Sequence, residues 1–421
     1  MKQFYLKMLL WQLIVVIAFA SCTTSEEPMV SVSPNSKTRG LDNIESTYTV
    51  QQALQIANKK LQKKPTAALK AKTKAWLAKN KDLVADLPSD TVAYIVNYAN
   101  KGGFVIIAND IRLENPVLAY NEKGNFTEDN LLARIYFLDR IEDYLASLNK
   151  NKSSKVTEST HVESAPVRRI IVEPQITIEL SPFSPFNDKI AKEHPYCWAG
   201  LINISAANII SHSFKELVFH NNYYNFELIN YALNQGPGFN PINTGLINTL
   251  GNFDDIPSSF IYSYDGSVSA FTQLIYDISK DSDTRYEDGT INEIGKTLTM
   301  PWKIKEVYEN IGLTVTETSL NQDINEITSL LFDGYLVNVF TLWRMVEGGV
   351  LDLDFIKGYQ GYVIDGCNVV IGNDNKIQDG EVHAVWGYGG IGDGYFAYPV
   401  LLSDDLREMI ELYHIGVKGN L

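Results

Sequence analysis

Apolar residues recur at helical spacing after Thr49, at Ala53, Leu54, Ala57 and Leu61, and predict an amphipathic helix that Thr47 or Thr49 caps. Two strand-like runs follow, 93–98 and 103–108. The turn Ala99-Asn100-Lys101-Gly102 joins them, which predicts a hairpin. A third strand is expected over 116–120, after Ile111-Arg112-Leu113. Between Asn130 and Asn149 the spacing of Leu131, Leu132, Ile135, Leu138, Ile141 and Leu145 predicts a closing amphipathic helix. These elements make a small α+β unit over 46–148.

The pattern then breaks. Residues 149–172 are mostly polar, contain one proline and the dibasic pair Arg168-Arg169, and read as a linker of the kind proteases cut. A second unit is expected over 173–421. Within it Leu201, Ile204, Ser205, Asn208, Ile209 and His212 keep helical spacing, and Ala206 and Ala207 permit close packing. This predicts a buried central helix that begins close to Ala199 and packs on a sheet containing 335–341, 360–364 and 383–386. Further elements are a helix over 301–312, a strand at 313–315 and a short helix over 324–333. The run Gly358–Cys367 is closed by Asp365-Gly366, locally a hairpin signal.

The N-terminus changes the picture, because it reads as a processing signal and not as fold. Lys2 and Lys7 precede the apolar run Met8–Ala20, which is short for a membrane span, and Phe19-Ala20-Ser21-Cys22 follows. The pattern resembles a bacterial lipobox. That resemblance implies cleavage before Cys22, acylation of its thiol, and a protein exported and anchored to the outer membrane or cell surface as a lipoprotein. Residues 1–21 are then the signal peptide and 22–45 a flexible tether rich in Ser, Pro and Glu. Only Cys197 and Cys367 remain, too few for a disulfide framework. With 50 acidic against 36 basic residues and a formal charge of −14, the chain lacks the concentrated basic surface that a nucleic-acid partner requires. No spacing suggests a metal site or a cofactor.

The order of elements over 46–148, with the run Tyr94–Phe126, resembles the propeptide domain of streptopain-type peptidases and the inhibitors related to it. The resemblance implies a module that packs against a protease domain and covers its cleft. In the second unit Pro182-Phe183-Ser184-Pro185-Phe186-Asn187, Ala199-Gly200-Leu201 and the helix ending near His212 resemble the streptopain region that opens Ser-Pro-Tyr-Asn and presents Ala-Gly-Cys ahead of a helix. A thiol at a helix N-terminus has a lowered pKa, which suits a nucleophile. His383-Ala-Val-Trp386-Gly387-Tyr-Gly-Gly followed by Asp393-Gly-Tyr-Phe resembles the family's His-x-Asn-Trp-Gly-Trp-Gly-Gly segment.

The resemblance implies a fold class, α+β of the papain-like kind: a central helix on an antiparallel sheet, preceded by the small α+β propeptide domain. It also assigns catalytic positions. The nucleophile position falls on Leu201, the base on Gln360 and the orienting amide on Val385, and none of these can perform its role. Pro182, Asn187, Trp198, Trp386 and Gly387 are expected to line the cleft. A non-catalytic, peptide-binding or protease-inhibitory envelope protein follows, with a peptide, a protein or another peptidase as its partner. The alternative is an active cysteine endopeptidase made as a zymogen. In that case Cys197, in Cys-Trp-Ala, is the nucleophile and His383 the base; otherwise Cys197 is a loop thiol and His383 a packed strand residue.

Overall fold

The computed structural model describes residues 47–63, 65, 67–72, 91–113, 115–126, 137, 141, 144–145, 168–178, 180–236, 264–291, 295–317, 324–344, 356–372, 377–390, 392–401 and 409–419. The signal sequence, Cys22, the tether and most of the linker lie outside them. Helix α1 (Val50–Leu61) starts on a reciprocal cap: the Gln52 N–H donates to Thr49 Oγ1 at 3.3 Å and the Thr49 N–H to Gln52 Oε1 at 2.7 Å. Strands β1 (Ala67–Lys72), β2 (Thr91–Asn97), β3 (Phe104–Ala108) and β4 (Val117–Asn121) pair antiparallel in chain order. Alternation along β2 gives this sheet two buried faces. Tyr94 and Val96 pack under Ala53, Ala57 and Leu61 of α1, while Ala93 and Ile95 join a larger core on the other side.

The chain continues through β5 (Arg168–Val172), α2 (Asp188–Glu193), α3 (Leu201–Ser213), the hairpin β6 (Glu216–Phe219) and β7 (Asn222–Asn225), α4 (Phe226–Gln235) and α5 (Tyr264–Asp281). A second small hairpin, β8 (Arg285–Glu287) and β9 (Lys296–Leu298), leads to α6 (Pro301–Asn310), β10 (Thr314–Glu317) and α7 (Ile324–Phe332). Then come β11 (Leu336–Arg344), β12 (Ile356–Ile371), β13 (Ile377–Val385), β14 (Gly394–Ala397), α8 (Tyr398–Leu401) and β15 (Met409–Lys418).

One 11-stranded antiparallel sheet runs β1-β2-β3-β4-β14-β13-β12-β11-β15-β10, with β5 added beside β12. The N-terminal unit is therefore continuous with the rest through β4 and β14, where Tyr120 pairs with Tyr395 and Ala119 with Phe396. Strand alternation divides the core. Leu336, Phe340, Val363 and Val385 face Ile202, Ile204 and Ile209 of α3, while Val337, Val339, Tyr362 and Ile364 face Ile327 and Leu331 of α7 and the buried side chains of β2 to β4. Helix α3 is buried at every position but His212, so it carries Asn203, Ser205, Asn208, Ser211 and Ser213 into the core among its apolar residues.

Two features differ from the sequence reading. Arg168–Val172 is not an open linker but strand β5, whose residues pair with Ile371 back to Cys367. Asp365-Gly366 is not a hairpin turn. Strand β12 runs straight through it with an irregularity in register, because the Asp365 carboxylate is used inside the protein: its Oδ2 accepts the N–H groups of Gln175 at 3.0 Å and Ile176 at 2.7 Å.

Candidate functional site

The three positions that the streptopain resemblance assigns to catalysis, Leu201, Gln360 and Val385, lie on α3, β12 and β13. The Ala199 N–H donates to the Pro182 carbonyl at 3.3 Å, which fixes the loop entering the helix, and Leu201 opens the first turn. Strand β12 reaches the helix at Gly361, one residue after Gln360; a β-carbon there would stand 2.8 Å from Ser205 Oγ and 3.1 Å from Ile202 Cα. Gly387, with φ +73°, turns the chain after β13 against the same turn, since a β-carbon on it would lie 2.8 Å from Ile204 Cγ2 and 3.9 Å from Leu201 Cδ2. Leu201 is 8% exposed and belongs to the cluster that holds Tyr362 and Trp386. Val385 is buried and pairs with Val363, and the backbone of Gln360 pairs with Thr341. Hydrocarbon at 201 and 385 offers neither a nucleophile nor a proton acceptor.

Cys197 and His383 do not meet. The Cys197 thiol is buried before the helix, where its Sγ donates to the carbonyl oxygens of Glu287 at 3.3 Å and Lys296 at 3.9 Å. Hairpin β8–β9 clasps this loop: the Gly289 N–H donates to Pro195 O at 2.9 Å, Gly295 N–H to Tyr196 O at 3.0 Å, and Thr297 Oγ1 to Trp198 O at 2.6 Å. Burial raises the thiol's pKa, and the charges of Asp288 and Glu287 add to the rise. That is the opposite of the electropositive setting an attacking thiolate needs. The nearby His194 is engaged elsewhere, its Nδ1 3.2 Å from Asp288 and its ring stacked on Tyr286.

His383 donates from Nδ1 to Asp365 Oδ1 at 2.7 Å and meets the Tyr395 ring edge-on. Burial also lowers the pKa of His212, in the last turn of α3, with the Asp365 charge opposing. Asp365 and His383 therefore lie toward the C-terminal end of a 13-residue helix, which is about 20 Å long, whereas Cys197 precedes its N-terminal end. Sequence reasoning missed Asp365; the available signal was a lone carboxylate inside an apolar strand.

Of the residues expected to line a cleft, Trp198 alone is half-buried beside other aromatics. It packs edge-on against Phe183, which meets Tyr388 in the same manner. Trp386 is a core residue instead, 1% exposed between Tyr362 and Phe396, its indole N–H donating to Gly392 O at 3.1 Å. Pro182 is buried under the loop, and Asn187 is buried with its amide donating to Cys197 O at 3.4 Å. Among the described residues no cluster of His, Cys, Asp and Glu could hold a metal ion, and no helix is long and apolar enough to cross a membrane.

The second candidate surface is the junction of β4 with β14. Tyr120 stacks on Tyr395 with ring centroids 5.2 Å apart. Lys60 lies over the Tyr120 ring at 3.7 Å and places its Nζ 3.0 Å from Glu381 Oε1. The Asn121 amide donates to the Asp393 carbonyl. What docks here is a recognisable unit. Residues 45–145 match the Spi protease inhibitor family. The match covers about a quarter of the chain, and no curated protein matches it. The Spi-type module thus presents its strand β4 to β14, the strand that follows the glycine-rich turn bordering the start of α3. Glu381 ties the junction together from the other side: its Oε2 accepts from the Asn368 amide at 3.4 Å, and Asn368 accepts from Arg169 of β5 at 2.7 Å.

Proposed function

We propose that this chain is a catalytically inactive, streptopain-like protein of the bacterial envelope, exported and anchored through an acylated Cys22, whose role is to bind peptide or to inhibit a peptidase. The observation that carries the reading is the Spi protease inhibitor match over 45–145. An inhibitor-type domain has a peptidase as its natural partner. Residues 173–421 are the papain-like part of this reading, with α3 as the central helix on the antiparallel sheet. Leu201 at the first turn of that helix supports an inactive centre, because the position where a streptopain-like thiol would stand holds hydrocarbon. The settings of Cys197 and His383, each bonded to other groups, support it further.

The test uses the chain without its signal peptide, with casein as substrate. Added to mature streptopain, it should slow casein hydrolysis in proportion to its concentration, and alone it should hydrolyse none. Casein hydrolysis by the chain itself, abolished by Cys197→Ser, would overturn the reading and make it a zymogen.

A further inference from the structure

We infer that the β4 edge of the Spi-type module is the surface by which it captures a peptidase, through strand addition, and that in this chain its own β14 occupies that surface. The inference rests on the inhibitory reading above and adds the mode of recognition and a regulation. A strand edge recognises a partner by main-chain hydrogen bonds, which are largely sequence-tolerant, and nearby side chains supply selectivity. Strand β4 has that form. Its inner edge pairs with β3, and its outer edge pairs with β14 at Ala119 and Tyr120.

Position gives the edge its meaning. Strand β14 leaves the turn whose Gly387 touches Leu201 and Ile204, so a module seated on it stands beside the start of α3. A partner that fits is therefore a papain-type domain with an exposed strand after such a turn, an aromatic ring opposite Tyr120 and a carboxylate placed for Lys60, as Tyr395 and Glu381 are here. The same pairing in cis keeps the edge from any other partner. Apparent affinity then falls by the fraction of molecules with the edge free.

Gly394 allows the cis pairing to be weakened from the β14 side. A β-carbon on it would stand 2.6 Å from Tyr120 O, 3.0 Å from Asn121 Cβ and 3.3 Å from Phe104 Cζ, all atoms of the module. The experiment measures inhibition of mature streptopain, on casein, by the chain lacking its signal peptide and by two variants. Gly394→Ala should inhibit half-maximally at a concentration about tenfold lower than the parent, as the free fraction rises. Should Gly394→Ala not fold, the paired substitution Tyr120→Cys with Tyr395→Cys replaces it: these are directly opposed positions, close enough for a disulfide. Oxidised, it should not inhibit, and reduction should bring inhibition, weaker than the parent's because the Tyr120 ring is gone. A parent that inhibits as well as Gly394→Ala, or a double variant indifferent to reduction, would overturn the strand-addition mode and leave the inhibitory reading standing. Absence of inhibition in every form, with the junction shown open in Gly394→Ala by hydrogen exchange of β4, would remove both.

Discussion

His383 is pinned to Asp365 by a 2.7 Å bond from its Nδ1, and the other oxygen of the same carboxylate holds the backbone of Gln175 and Ile176. One buried carboxylate thus joins β13 and β12 to the segment after β5. Asp365→Ala would leave three donors without their acceptor, and a buried donor left unpaired costs about 1–3 kcal/mol. The expected loss is about 3 kcal/mol in the free energy of unfolding, read from urea titration, with His383→Ala losing about half as much. Equal stability of both variants and the parent would remove the clamp from the account.

Alkaline stability should follow the buried thiol of Cys367. Burial pushes it up from 9.0 to about 11. The folded state therefore holds that proton more tightly than the unfolded state, so the contribution is complete below pH 9 and is lost as pH rises through 11. Its size is about 2 kcal/mol. Urea unfolding at pH 8.5 and pH 11 should show a smaller fall for Cys367→Ala than for the parent. Burial and nearby acidic charges also push Tyr395 up to about 12, so the variant should still lose some stability over that range.

The contact between Gly361 and α3 admits a paired test. A methyl group at 361 meets Ser205 Oγ at 2.8 Å, and Ile202 Cα behind it at 3.1 Å cannot swing away. Gly361→Ala should destabilise by about 1–3 kcal/mol. Removing the hydroxyl with Ser205→Ala should recover part of that loss, a coupling that a double-mutant cycle measures directly. Additive effects would mean that the strand gives way elsewhere.

Chemistry can be offered back to the start of α3. In Leu201→Cys with Gln360→His and Val385→Asn, the new thiol sits at a helix N-terminus, and the streptopain resemblance puts the introduced imidazole within its reach; both conditions favour the thiolate. Peptide mapping after brief iodoacetamide treatment at pH 6 should find the introduced thiol labelled faster than Cys197, and faster than in Leu201→Cys alone. If Gln360→His alone activates Cys197, the nucleophile position has been placed one helical turn too late.

Much of this fold was legible because its strongest elements repeat their signals locally. The capped α1, the Gly102-Gly103 hairpin and the buried α3 each follow from neighbouring residues. Strand β1, Ala-Ala-Leu-Lys-Ala-Lys, was not legible, since Ala and Lys carry little strand preference and its pairing with β2 is a tertiary event. Strand β5 was hidden for a related reason. It exists because β12 is 16 residues long while β11 covers only its first part, to Ile364, leaving an edge that Arg168–Val172 completes. At the candidate site, motif spacing singles out 201, 360 and 385, and the structure adds that Leu201 and Val385 are buried. The partners of Cys197 and His383 were not legible, because a thiol held by two carbonyls and an imidazole held by a carboxylate depend on hairpin β8–β9 and on the path of β12.

The pairing of β5 separates two events that are usually treated as one. A protease cutting within 151–167 would break the covalent path between β4 and β5 yet touch neither ladder, since β4 remains on β14 and β5 on β12. The dibasic Arg168-Arg169 is itself held in a ladder opposite Ile371 and Val370 and yields only after that ladder opens. A nicked molecule would run as two bands after denaturation and elute as one particle before it. Scission here would be a change of bookkeeping in the chain and not of its assembly, and a second event, opening both the β4–β14 seam and the core that β2 and β3 share with α7 and β12, would be needed to part the pieces.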